Sequence, residues 1–245
     1  MLAFLCCCCS SRENSLNERQ PLLQPVPTDP NAGGIESARR TRVAQADPAR
    51  SDKLLMRRVC VPELDQRFSD VSDTFNEQQR RYRSMVQHIT NLCERFGCDK
   101  DRVELSECVE TIRLEHQNKH VVSVKMKGYD FFLSVAPVEQ EADNEIPPNL
   151  QLAEEELRNT SENAKATISK GTVLQELISW LLRSKDQMSK QVKEIAVSYQ
   201  EQRRLLENLE ENMKEVRRAK EMSLKYRQKA GEVLTEAAQL SGSYQ

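Results

Sequence analysis

The sequence predicts a mostly α protein with extended coiled-coil helices, a small helix plus β-hairpin element, and a disordered N-terminal tail. Three observations predict it. Two long stretches repeat apolar residues at steps that alternate between four and three. One short stretch between them switches to a period of two, the mark of paired strands. Six of the nine prolines crowd into residues 21–62. Only 38% of the 245 residues are hydrophobic and 5% aromatic, while 30% are charged. That balance suits long helices with a narrow apolar stripe better than one thick core.

The first segment, 1–61, reads as a disordered tail. Besides its prolines it holds Gly33-Gly34 and many Ser, Asn and Asp residues. Within it, 39–58 is basic: Arg39, Arg40, Arg42, Arg50, Lys53, Arg57 and Arg58 stand against Asp47 and Asp52.

Pro62 suits the first position of a helix, and a heptad helix is expected over 62–97. Its seam is Leu64, Phe68, Val71, Phe75, Gln78, Tyr82, Met85, Ile89, Leu92 and Phe96. Gly97 is a natural stop.

A small α+β element follows at 101–137. Asp101 with Glu104 has the form of a capping box. The short helix after it carries Leu105, Cys108, Val109 and Ile112 on one face. The run His120 to Val135 alternates as a β-hairpin turning at Lys127-Gly128, with Met126 opposite Tyr129, Val124 opposite Phe131 and Val122 opposite Leu133. Those six share one face, which must pack on a helix or a partner, because an isolated hairpin is marginal.

An acidic linker over 137–148 ends in Pro147-Pro148. A helix over 149–170 is expected next. Gly171, then Thr172 with Gln175 three residues on, predicts a break and a fresh N-cap. A long coiled-coil helix over 172–240 should follow. Its seam runs Leu174, Ile178, Leu181, Lys185, Met188, Val192, Ile195, Tyr199, Gln202, Leu206, Leu209, Met213 and Val216. Beyond Val216 the register slips, resuming at Tyr226, Ala230, Val233, Ala237 and Leu240. Unbroken, this helix would be a rod of roughly 100 Å. A stripe that long is an aggregation liability if exposed, so homo- or hetero-oligomeric coiled-coil partners are expected.

No catalytic motif is present: there is no phosphate loop, G-x-G-x-x-G, H-E-x-x-H or nucleophile elbow. The expectation is a non-enzyme without cofactor. Cys93, Cys98, Cys108, His116 and His120 are the best metal candidates, but their spacing is not that of a zinc site, and no metal is expected. Arg80, Arg81 and Arg83 flank Tyr82, but the tyrosine falls on the seam and carboxylates balance the arginines. With a net charge of −2, nothing points to nucleic acid. Trp180 sits beside the seam as packing or as a partner anchor.

Membrane chemistry is concentrated at the start. No stretch reaches the apolar length of a spanning helix, and residues 1–9 lack the basic region and cleavage site of a signal peptide. Cys6, Cys7, Cys8 and Cys9 are adjacent, so they cannot pair with one another without severe strain. They follow the short apolar run Met1 to Leu5, the setting of S-acylation sites. Leu2 excludes N-myristoylation. A single acyl chain holds a protein only weakly, whereas two or more anchor it stably, and the basic stretch adds attraction to anionic lipid. Glu18, four residues before Leu22-Leu23, has the form of the acidic dileucine sorting signal read by clathrin adaptor complexes. The cysteine cluster with its acidic, leucine-bearing tail resembles the N-termini of acylated lysosomal scaffolds, such as the membrane-anchoring Ragulator subunit and melanoregulin. It departs from them in having Leu2 where they carry a myristoylatable glycine.

The expected function is therefore a lipid-anchored coiled-coil scaffold or adaptor on the cytosolic face of lysosomal or late endosomal membranes, serving organelle trafficking or positioning. The alternative is a membrane-fusion protein. Residues 174–227 resemble a SNARE motif in length, with Gln202 as the central polar layer. Lys220, Ser223 and Arg227 depart from that pattern as core residues.

Overall fold

The computed structural model describes residues 53–98, 105–138 and 146–242. The four adjacent cysteines, the dileucine motif, most of the basic stretch and the Asp101–Glu104 capping box lie outside the described residues. Among those described, five helices and one antiparallel two-stranded sheet follow in order. They are α1 (Pro62–Phe96), α2 (Leu105–His116), β1 (His120–Lys127), β2 (Asp130–Pro137), α3 (Pro148–Arg183), α4 (Lys185–Ile195) and α5 (Tyr199–Leu240).

Helix α1 begins at a proline, whose missing N–H costs nothing at that position. It ends where Gly97 turns left-handed at φ 65°, so that the Cys98 N–H reaches back to the Cys93 carbonyl at 3.0 Å. This six-to-one closure needs a residue without a Cβ penalty. Every large apolar member of the α1 stripe is buried, except that Tyr82 is half-buried.

Helix α3 runs antiparallel to α1. Arg67 lies over Trp180, Gln78 bonds Thr167, and His88 bonds Glu156 at 2.6 Å, so rising numbers on one helix meet falling numbers on the other. Helix α5 runs parallel to α1: Gln78 reaches Ser223 and Gln79 reaches Tyr226. The three long helices thus cover one another's stripes within one chain.

The helix boundaries after residue 148 differ from those the spacing predicts. No break occurs at Gly171. Helix α3 continues through it to Arg183 because the glycine marks a close helix approach and not a cap: a Cβ there would lie 2.4 Å from Gln78 Nε2 and 2.5 Å from Arg227 Cδ. The expected rod is also divided. At Ser184 the backbone bends, with its N–H shared between the Trp180 and Leu181 carbonyls. At residues 196–198 the helix stops. Ser198 has an extended backbone, its Oγ accepts the Glu201 N–H at 3.2 Å, and Glu201 Oε2 accepts the Val197 N–H at 3.2 Å. That reciprocal cap starts α5 afresh, and α4 folds back along it. At 42 residues α5 is about 63 Å long, well short of the rod.

The sheet also differs in register. Met126 pairs with Phe131, Val124 with Leu133 and Val122 with Val135, and the two-residue turn is Gly128-Tyr129. Gly128 has φ 65°. A primed hairpin turn needs a positive φ at its first central position. The expected turn would have put Lys127 there, at a steric cost that Gly128 avoids. The shift is two residues, so each side chain keeps its face. Val122, Val124, Phe131 and Leu133 are buried, while Tyr129 moves to the tip and is exposed. That buried face packs with α2, α3 and the end of α5. The Phe131 N–H donates to Ser161 Oγ at 3.0 Å, Asp130 pairs with Lys165, and Arg113 Nε donates to the Val122 carbonyl at 3.1 Å.

Candidate interaction surfaces

The interior divides into two apolar clusters. One joins the hairpin and α2 to the far half of α1, the start of α3 and the end of α5. The other joins the first half of α1 to Leu174, Ile178 and Leu181 on α3, Met188 and Val192 on α4, and Leu205, Leu209, Met213 and Val216 on α5. Between them lies a polar layer. Gln78 is fully buried, and its Nε2 donates to the Thr167 carbonyl at 3.1 Å and toward the Ser223 carbonyl at 3.5 Å. Gln79 donates to the Tyr226 hydroxyl at 3.2 Å. The Tyr226 ring stacks on Tyr82 with centroids 4.4 Å apart. Gln78 Oε1 is buried with no hydrogen-bond partner. A polar layer in an apolar seam fixes register, because any slip leaves its groups unpaired in apolar surroundings.

Most residues expected on the long seam are buried: Leu174, Ile178, Leu181, Met188, Val192, Leu209, Met213 and Val216. The members flanking the α4–α5 turn are not. Ile195 is 47% exposed and Tyr199 80%, while Gln202 and Leu206 are half-buried and Leu205 takes the inner position. The cause is the turn itself, which breaks the helical phase that linked Ile195 to Tyr199. Beyond Val216 there is no slip. Ala219, Ser223, Tyr226, Ala230, Val233 and Ala237 are all buried at steps of three and four. The stripe continues through small residues, where the helices come close.

Gln202, in the first turns of α5, sits in no enclosed layer. A helix exchanging into a four-helix fusion complex would have to pull Leu209, Met213 and Val216 out of this chain's own core.

The cysteines and histidines weighed as metal candidates, where no metal is expected, are partly gathered. Cys93 Sγ and Cys108 Sγ lie 3.0 Å apart, both buried, with Cys98 beside them. Burial pushes both the Cys93 and Cys108 thiols up from their ordinary range, the opposite of what thiolate ligation needs. His116 Nε2 and His120 Nδ1 are buried without hydrogen-bond partners. Among the described residues no group of three His, Cys, Asp or Glu side chains is placed to hold a metal ion.

The arginines near Tyr82 face carboxylates. Arg80 and Arg81 both pair with Glu77, at 2.7 and 3.0 Å. The Arg80 guanidinium, helped by Arg81, holds the Glu77 carboxyl down at about 2. Trp180 is covered by the Arg67 guanidinium at 3.8 Å from its ring, a cation–π contact inside the chain.

One exposed apolar group of side chains lies at the α4–α5 tip. Val197 is 94% exposed and stands between Ile195 and Tyr199 on the capped α4–α5 turn. A second apolar exposure lies on the hairpin, at Val121 and Phe132 on its outer side and Tyr129 at its tip. No helix of the described residues is long and apolar enough to cross a membrane.

No family model, no curated protein and no solved structure matches this chain.

Proposed function

We propose that this protein is a non-enzymatic, lipid-anchored helical adaptor on the cytosolic face of lysosomal or late endosomal membranes. One observation carries the reading: Cys6 to Cys9 stand adjacent beside a short apolar start, and an acidic dileucine motif at Glu18, Leu22 and Leu23 follows within the same tail. Four acceptors exceed the two acyl chains that stable anchoring takes. The dileucine motif is the address that clathrin adaptor complexes would read. The helices would then act as the partner-binding body, in trafficking or positioning of the organelle. Because the large apolar stripes are covered within the chain, coiled-coil partners would meet the bundle through its outer apolar side chains, the α4–α5 tip first among them.

The test is microscopy of three tagged forms in cells: the natural chain, Cys6 to Cys9 all replaced by Ser, and Leu22→Ala with Leu23→Ala. The serine form becomes cytosolic. The alanine form stays on membranes but shifts toward the Golgi or the plasma membrane. A serine form that stays on the same membranes would overturn the acyl anchor.

A further inference from the structure

Residues 54–59 lie along the groove between α1 and α5 without helix or strand of their own, yet side chains of the two helices bond six of their backbone groups. Asn76 on α1 makes a pair of bonds to Leu54: its Oδ1 accepts the Leu54 N–H at 2.8 Å and its Nδ2 donates to the Leu54 carbonyl at 3.1 Å. Ser72 adds a second donor to that carbonyl at 2.7 Å. Asn212 on α5 does the same to Arg57, with both bonds at 2.7 Å. Asn208 donates to the Arg58 carbonyl at 2.9 Å, and Asp65 accepts the Val59 N–H at 2.7 Å. Leu54 and Val59 are buried between these contacts, whereas Leu55 is 70% exposed.

This is the chemistry of peptide recognition. Amide side chains that satisfy both backbone groups of one residue read an extended chain irrespective of its side chains, and the two apolar pockets add selectivity. The segment is extended: Leu54 sits at Asn76 and Val59 at Asp65, about 16 Å apart along α1, so five residues cover about 3.3 Å each. The next residue, Cys60, holds φ 59°, a left-handed conformation that a non-glycine residue adopts at a cost. That strain sits at the joint between the segment and α1, and leaving the groove would release it.

We propose that the α1–α5 groove is a binding site for an extended peptide, filled here by residues 54–59 of the same chain, and that it takes the same segment from a second copy. Exchange of this strap would join two chains without altering either bundle, since the incoming segment makes the bonds that the outgoing one gave up. The proposal stands apart from the membrane reading.

Two measurements on the full chain test it. In native-state hydrogen exchange, the Leu54, Arg57 and Val59 amides should exchange at least about tenfold faster than the buried-face amides at Val71 and Phe75, because the strap opens while the bundle stays closed. Equal protection would mean the strap opens only by global unfolding and would overturn the proposal. In the second, copies with heavy and natural nitrogen isotopes are mixed and treated with an amine cross-linker. Lys53 lines the same surface hollow as Glu211 and Glu215 of α5, which flank Lys214 in sequence. Lys53–Lys214 cross-linked peptides of mixed isotope should form, and they should be lost with Leu54→Asp. Cross-links confined to one isotope would show that no second copy enters the groove, whatever the exchange rates, and would likewise overturn it.

Discussion

A Cβ on Gly171 would lie 2.4 Å from Nε2 of Gln78, the buried amide that bonds the Thr167 carbonyl one helical turn away. The absence of a side chain at one position and the presence of a long polar one at the other are a single packing arrangement.

Gly171→Ala should therefore destabilise the bundle, by about 1–3 kcal/mol, although alanine in a helix interior normally gains about 1 kcal/mol over glycine. Gln78 must yield its bond to make room. Urea unfolding followed by circular dichroism measures the effect. In Gln78→Ala only the Arg227 side chain, with Cδ 2.5 Å from the methyl position, still has to shift, so adding Gly171→Ala to that background should cost less. Equal costs in both backgrounds would show that the two residues are not coupled.

Gln78→Met should be neutral or stabilising by up to about 1 kcal/mol, since it removes a buried carbonyl oxygen with no partner and keeps the volume. The loss should be in uniqueness. Broader side-chain NMR lines with an unchanged urea midpoint would display it.

Two leucines three residues apart on α5 should differ sharply. Leu209 is 2% exposed and Leu206 only half-buried. Leu209→Asp should cost several kcal/mol, because an unpaired charge enters an apolar cluster, and should lower the melting temperature far more than Leu206→Asp. Similar losses at the two sites would mean the inner face of α5 is assigned wrongly.

Ser198→Ala removes the acceptor of the Glu201 N–H and should cost about 1 kcal/mol. Val197→Ser, one residue away and exposed, should change stability by no more than about 0.5 kcal/mol. The pair of melting temperatures separates the cap from the surface it presents.

The thiols should divide by burial. Cys60 is exposed, whereas Cys93 and Cys108 are buried and shifted upward. Peptide-resolved labelling with a thiol reagent should modify Cys60 long before the other two. The shift also sets a pH dependence. In the unfolded chain these thiols ionise near the ordinary value of 9.0, while burial keeps them protonated in the folded one. Their contribution to stability is thus complete below pH 9 and declines as pH rises beyond it. Cys93→Ala with Cys108→Ala should flatten that alkaline decline.

The helical class with one hairpin was legible in the chain because large apolar residues mark it. The α1 stripe from Leu64 to Phe96 repeats at four and three, and the Val122 to Leu133 region alternates at two. The α4–α5 turn was written there as well: Ser198 and Glu201 stand at capping-box spacing. A competing apolar phase through Ile195 and Tyr199 masked it. The hairpin turn was off by one position for a local reason, since the positive φ belongs to Gly128 and not to Lys127.

Other features had no local signal. Thr160, Ala164, Thr167 and Gly171 on α3, and Ala219 and Ser223 on α5, are buried at regular helical steps, yet none is hydrophobic enough to mark a seam. A small residue lies inside when a neighbouring helix comes close, and how close it comes depends on the side chains of that neighbour. The same holds for the strap: nothing in Leu54 to Val59 announces a groove, because its binding partners are Asn76, Asn208 and Asn212, up to 155 residues away. Local chemistry set where helices and strands form. Which faces meet, and so which polar residues are buried, came from packing, because burial is a property of pairs of surfaces and not of single residues.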